Sequence, residues 1–371
     1  MTDPKHRTQS PPDTNTSTRP GTSANTSTGT GTGTVTVHDV ARMAGVSRQT
    51  VSNVLNAPDR VSPGTRDRVR EAIGTLGYQP NRVAQALRAH ASRHIGYRIR
   101  PNRTDALSAI LDRFLHAFAE SAGELDHHLL LFAADDDGEV AACSRLFHGG
   151  AVDGFVLLDL GYRDPRPAAM ATLGAPFASF GRTDDDHPWV DVDNAAGTDR
   201  ATEHLIAAGH RRIGFLGVPA GDRIGDDRTS GWYRAMRGHG LDTTGLHRRA
   251  TDGIDSGVRE TLALLDAADR PTAVVAGSDL FAVGALRAAQ QRDLTPGDDL
   301  AVTGFDDTPT AAVLGLTSVR QPIEEVARAM TSVLLPRLRS AGAGHAPPTD
   351  PAGGRLLEPE LVVRRSSTVP R

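Results

Sequence analysis

Residues 35–93 read VTVHDVARMAGVSRQTVSNVLNAPDRVSPGTRDRVREAIGTLGYQPNRVAQALRAHASR, and this stretch decides how the rest of the chain is understood. Thr36 stands three residues before Asp39 and just ahead of Val40, Ala41 and Ala44. That is the pattern of a capping box opening a short helix with one apolar stripe, predicted over about 37–44. Gly45 follows, and a glycine there allows the left-handed backbone in which a helix stops and the chain turns sharply. Ser47 is a natural N-cap for a second helix over about 47–56, in which Val51, Val54 and Leu55 fall on one face by three-and-four spacing. Ser62, with Pro63 at the first helical position, opens a third helix whose Val69, Ile73 and Leu76 close a small core before Gly77 ends it.

The apolar face of the second helix leaves Arg48, Gln49, Thr50 and Asn53 outside, with no core to serve. Two helices joined by a glycine-containing turn form the helix-turn-helix unit, whose second helix enters the major groove and presents its early residues to base edges. Arg48 and Gln49 occupy those early positions. Charge agrees: residues 34–93 hold nine arginines against Asp39, Asp59, Asp67 and Glu71, whereas the whole chain carries −4. A local cationic excess on an acidic protein predicts salt-sensitive attraction to phosphates at one end and little indiscriminate binding elsewhere. The next segment, QPNRVAQALR over 79–88, is too short to hold a helix by itself in water and is expected to fold only on contact.

The phrases DVARMAGVSRQTVSNVLN, VSPGTRDRVREAIGTLGYQPN and RVAQALR resemble the DNA-binding headpiece and hinge of the LacI/GalR family of repressors. The resemblance implies that Arg48, Gln49 and Asn53 read bases, while Ser47, Thr50, Asn56 and Ser62 hold phosphates. Arginine suits guanine and glutamine suits adenine, because each bonds two edge atoms at once. Position 53 is asparagine where arginine is familiar, which leaves its base open. The resemblance also makes Asn81 the residue that fixes the start of the hinge against the DNA backbone. Leu87 would be the apolar wedge pushed into a minor-groove step by a paired hinge helix, at a cost of a few kcal/mol of unstacking.

Length and composition frame the remainder. With 371 residues, one small module leaves enough chain for a large two-lobed domain. Residues 1–33 are mostly Thr, Ser, Pro, Gly and Asn with no apolar block, and are read as a disordered tail that is no signal peptide. No stretch reaches the length of an apolar membrane span, and a single Cys143 excludes an internal disulfide framework and a cysteine zinc cluster. The expectation is a soluble cytoplasmic protein without membrane association. The expected divisions are a DNA-binding module at 34–80, a hinge at 81–93 and a core at 94–371. Within the core, the first lobe is expected at about 94–191 and 320–345, and the second at about 192–319 and 346–371.

Past residue 94, short apolar runs at 95–99, 129–133, 154–158, 176–180, 213–217, 273–276 and 301–305 alternate with amphipathic stretches such as 195–208. Alternation of this kind predicts an α/β fold with parallel, doubly wound sheets covered on both faces. VDGFVLL, PWVDVDN, HLIAAGHRRIGFLG, DRTSGWYRAM, GSDLFAVGALRAA, GFDD, LTSVRQP and LEPELVVRRSS are similar to the same family's periplasmic-binding-protein-like core, in which an effector sits between two lobes. The resemblance places Arg228 as the effector-binding arginine, a planar fork of donors suited to hydroxyls or a carboxylate. It makes Asp306 of GFDD, and Asp279, acceptors for the effector.

Several positions depart from the family pattern. Ser278-Asp279 falls where Asn-Asp is usual, and Asp252 stands where an aromatic ring stacks on the ligand. Residues 98–104 depart from the usual Asn-Pro-Phe loop. Trp189, one of two tryptophans, is read either as the replacement ring for the effector or as a core-packing side chain. The implied function is a homodimeric regulator, most often a repressor, that binds a pseudo-palindromic double-stranded operator and responds to a small molecule, expected to be a sugar. A purine or other non-sugar effector with co-repressor logic is the alternative.

No GxSxG, HExxH, P-loop or dinucleotide fingerprint occurs, so the chain is read as a non-enzyme without cofactor or metal. The pair His127-His128 has no further spaced ligands and is read as a solvated loop. A transport-type binding protein would explain residues 94–371 equally well, but not the headpiece. The terminal LEPELVVRRSSTVPR lacks a heptad helix, so no tetramer built on one is expected.

Overall fold

The computed structural model describes residues 35–78, 91–100, 106–342 and 354–367. The chain divides into two units, Met1–Asn81 and Arg82–Arg371. In the first, α1 (Val37–Ala44), α2 (Arg48–Asn56) and α3 (Pro63–Leu76) pack around Val40, Ala41, Ala44, Val51, Val54, Val69 and Ala72. The capping box is formed: Thr36 N donates to Asp39 Oδ2 at 3.0 Å, and Thr36 Oγ1 donates to the same oxygen at 2.6 Å. These two bonds, the hydroxyl first, hold the Asp39 carboxyl below its ordinary value. Gly45 takes φ of 63°, which ends α1 and turns the chain into α2 without the strain that a Cβ would bring.

The second unit holds two six-stranded sheets. Its first sheet runs in the order β11 (Arg355–Leu357), β5 (Trp189–Val192), β4 (Phe177–Phe180), β3 (Gly154–Leu158), β1 (His94–Ile99), β2 (His128–Ala133), parallel throughout. Helices α4 (Ala106–Gly123) and α12 (Ile323–Gly342) pack on one face of it, and α5 (Glu139–His148) and α6 (Arg166–Leu173) on the other. Phe114 is central, with ring centroids 5.4 Å from Phe118 and 5.0 Å from Phe180. Burying each such ring is worth roughly 2–3 kcal/mol, which fixes α4 against the strands.

The second sheet runs β12 (Glu360–Val362), β10 (Thr317–Arg320), β9 (Ala301–Phe305), β8 (Ala273–Ala276), β6 (Ile213–Gly217), β7 (His247–Arg249), with only β12 antiparallel to its neighbour. Around it lie α7 (Asn194–Ala207), α8 (Arg223–Gly238), α9 (Ile254–Leu265), α10 (Asp279–Gln291) and the short α11 (Pro309–Leu314). Helices α7 and α8 cross so closely that a Cβ on Gly231 would come within 2.1 Å of the Ala195 carbonyl oxygen. Among the described residues, no helix is long and apolar enough to cross a membrane.

The chain passes between the lobes three times: after β5, after β10, and between β11 and β12. The third passage corrects the expected boundary near residue 345. Arg355–Leu357 pairs with β5, Leu357 O accepts from Asp193 N at 2.9 Å, and the Leu357 side chain sits in the first lobe's core. The first lobe therefore retains residues 354–357, and the crossing falls at Glu358 and Pro359. The three passages lie side by side, since Asp193 bonds Leu357 and Arg320 pairs with Glu360 across the sheet edge.

Candidate functional site

The exposed face of α2 is built by its cap. Ser47 Oγ accepts from Thr50 N at 3.1 Å and lies 2.9 Å from Thr50 Oγ1, so the first turn is fixed before any partner arrives. Arg48 and Gln49 follow, both exposed. Gln49 Nε2 donates to Asn53 Oδ1 at 3.0 Å, one turn along the same face. Asn53 thus holds the Gln49 amide in one orientation, which leaves the second hydrogen on Gln49 Nε2 and its Oε1 on the exposed face. Ser62 stands at the N-cap position of α3, its hydroxyl donating to Thr65 Oγ1 at 2.9 Å rather than accepting from the helix backbone. Asn56 closes α2. Asn81 and Leu87 lie outside the described residues.

The cleft between the lobes forms at the carboxyl ends of the strands, where open α/β sheets place ligands. Arg228, on the second turn of α8, is buried, and each of its three guanidinium nitrogens makes a hydrogen bond. Its Nε donates to Asn194 Oδ1 at 2.9 Å, Nη1 to Gly277 O at 2.6 Å and Nη2 to Asp306 Oδ1 at 3.4 Å, while the guanidinium sits 3.7 Å over the Phe305 ring. Asp306 follows β9 with φ of 110°, a left-handed conformation that an aspartate holds only when its surroundings impose it. Gln321 Nε2 donates to its Oδ1 at 2.7 Å. Burial pushes the Asp306 carboxyl up to about 8, against the opposing pull of Arg228. Arg228 and Asp306 are thus brought together.

Asp279 and Trp189 are placed otherwise. Asp279 turns both oxygens inward: Oδ2 accepts from Thr308 N at 2.7 Å and Thr308 Oγ1 at 2.8 Å, and Oδ1 from Ser318 Oγ at 2.6 Å. Its work is to fix the turn that carries Asp306, and burial raises its carboxyl to about 6. Trp189 opens β5 at the end away from the cleft; its indole lies so close to Gly354 that a Cβ there would fall 1.5 Å from the ring. The ring packs against this glycine of the first lobe and lies 5.8 Å from the Arg182 guanidinium. The two departures at 252 and 278 answer each other, since Ser278 Oγ donates to Asp252 Oδ1 while accepting from Phe281 N at 3.1 Å. A hydrogen-bonded pair occupies the place of a ring and an amide.

Sequence reasoning missed the residues that line the cleft between the lobes beside Arg228: Arg182, Asp191, Asn194, Arg223 and Gln321. One signal was available. In β5 the alternation Val190-Asp191-Val192 puts a carboxylate among buried positions, and such a charge must have a partner. The partner is Arg182, whose Nη1 donates to Asp191 Oδ2 at 2.5 Å, and burial still raises Asp191 to about 6. The first lobe adds an adjoining cavity of about 200 Å³ with Tyr97, Ile99, Leu111, Leu115 and Leu158 on its walls. Also on its walls, Glu139 receives Nη1 of both Arg98 and Arg166 in a buried ion network.

Two regions match known families: residues 36–81 match the bacterial regulatory proteins of the lacI family, and residues 202–367 the periplasmic binding protein-like domain. The HTH-type transcriptional regulator CelR of Thermobifida fusca is 34% identical over 343 residues, covering 89% of this chain and 98% of that protein. The chain belongs to the LacI family of transcriptional regulators. This family member is also 30% identical to the lactose operon repressor of Escherichia coli (strain K12) over 344 residues, covering 91% of each protein. Among solved structures, the regulator resembles the transcriptional regulator CelR–cellobiose complex (TM-score 0.64, 32% identity, covering 90% of this chain and 99% of that one). It also resembles the Lac repressor dimer bound to operator and the anti-inducer ONPF (TM-score 0.72, 28% identity, covering 90% of this chain and 99% of that one). As in these relatives, the LacI-family regulator joins a helix-turn-helix module to a two-sheet periplasmic-binding-like domain.

Proposed function

We propose that this regulator is a repressor that binds a pseudo-palindromic operator as a homodimer, and that a sugar bound between its lobes controls that affinity. The observation that carries the proposal is Arg228, buried at the cleft between Asn194, Gly277 and Asp306 in a polar, strand-end setting made for hydroxyl groups. Hydroxyls both donate and accept, so they suit a site that offers guanidinium hydrogens beside carboxylate oxygens. The cellobiose in the CelR complex supports a sugar over a purine or another non-sugar effector.

On the DNA side, Arg48, Gln49 and Asn53 read base edges, with Asn53 also holding Gln49 in register. Ser47, Thr50, Asn56 and Ser62 take phosphates, Asn81 starts the hinge and Leu87 wedges the minor groove. The regulator acts in the cytoplasm and carries no catalytic step. The test is direct: operator fragments are selected from a random duplex library with the full chain, and their retention is then measured against a panel of mono- and disaccharides. A sugar that shifts retention in the wild type but not in Arg228→Ala supports the reading. A purine that shifts retention, with no sugar doing so, overturns it.

A further inference from the structure

The first two turns of α8 carry Arg223, Asp226 and Asp227 in addition to Arg228, and all three reach across to the first lobe. Arg182, in the loop between β4 and β5, is bonded on one side to Asp191 of its own lobe and on the other to Asp227, with Nη2 to Oδ2 at 2.5 Å. In the opposite direction, Arg223 donates to Asp184 of the first lobe and stacks its guanidinium 4.2 Å over the Tyr162 ring. Tyr162 in turn donates its hydroxyl to Asp226 Oδ2 at 3.2 Å. Each lobe therefore contributes one arginine to a carboxylate of the other. The Arg182 group is shielded: Asp191 is 4% exposed, Arg182 18% and Asp227 20%. Between them the lobes leave a cavity of about 30 Å³, room for a water or two and far less than a small-molecule site.

We propose that Arg182 and Arg223 form a reciprocal latch that holds the two lobes shut, with Arg182 occupying the place that an effector must take. The inference deepens the reading of the cleft as an effector site. A ligand that enters displaces the Arg182 guanidinium from between Asp191 and Asp227, so it must itself bring hydrogen-bond donors to those two carboxylates. The latch thus favours a molecule rich in hydrogen-bond donors.

Hydrogen exchange of the full chain, without ligand, tests the latch independently of what the effector is. In the double variant Asp184→Asn with Asp227→Asn, peptides covering 159–164, 181–187 and 221–228 are expected to exchange at least about fivefold faster, while β9 stays protected. Tyr162→Phe, which removes one hydroxyl and leaves the fold's packing in place, is expected to give a smaller rise in the same segments. The charge swap Asp184→Arg with Arg223→Asp is expected to restore much of the wild-type protection. Unchanged exchange in the double variant and in Tyr162→Phe would overturn the latch. So would a rise that spreads equally into β9 in Tyr162→Phe. If no sugar binds the protein but the exchange pattern holds, the latch stands and only the identity of the effector changes.

Discussion

Arg48 is the first residue of α2, exposed beside a capped turn and outside the apolar core of the three helices. Its replacement by alanine should therefore leave folding intact and relax discrimination at one operator position by about 1–3 kcal/mol. Selection from a random duplex library reads this out, and an unchanged preference at every position would refute it. Asp306 makes a different prediction. Its folded carboxyl titrates at about 8 because of burial, above the value of about 3.9 in an unfolded chain. The folded state thus binds the proton more tightly, so this group's contribution is complete below about pH 4 and is lost as the pH climbs through 8. Asp191 and Asp279, both raised to about 6, act in the same direction over a lower range. Asp306→Asn should narrow the difference in urea midpoint between pH 5.5 and pH 8.5. An equal difference in variant and wild type would rule out this account.

At the level of elements, the crossing of α7 and α8 has no spare room. Gly231→Ala sets a methyl against the Ala195 carbonyl and forces the two helices apart, which should cost about 1–3 kcal/mol and lower the core's melting temperature while leaving the headpiece unaffected. Two separate transitions in calorimetry would show which one moves. The headpiece helices were legible in the sequence because capping, periodicity and glycine stops agree over short range. So were the seven longer apolar strands, from 95–99 to 301–305. Strands β5, β7, β10, β11 and β12 were not: three residues carry no period in β7, β11 and β12, polar side chains such as Asp191, Thr317 and Ser318 interrupt the apolar run in β5 and β10, and missing β11 misplaced the third crossing. Within the site, Arg228 and Asp306 were legible from family phrases. The Arg182–Asp227 and Arg223–Asp184 pairs were not, because they join residues about 40 positions apart whose meeting depends on how the lobes close. Asp279 looked like a ligand residue because sequence does not tell which way an N-terminal helix residue turns its carboxylate.

For the molecule as a whole, the acidic total and the arginine-rich module make operator binding a strongly salt-dependent event. Raising salt from about 50 to about 200 mM should cost orders of magnitude in affinity if several phosphates are held. A flat salt profile would argue against phosphate contacts by the headpiece. Ligand and operator must also affect each other equally: a sugar that weakens DNA binding by a factor within about 5–150 must itself be bound that much more weakly by the DNA-bound protein. Titrating the sugar into free and operator-bound regulator tests that equality. Finally, the three passages between the lobes run side by side, Asp193 bonded to Leu357 and Arg320 paired with Glu360. Three adjacent joints along one line behave like the knuckles of a piano hinge. They block sliding and spinning and leave nodding about the line as the easy motion, so whatever the cleft captures is read out as a single angle.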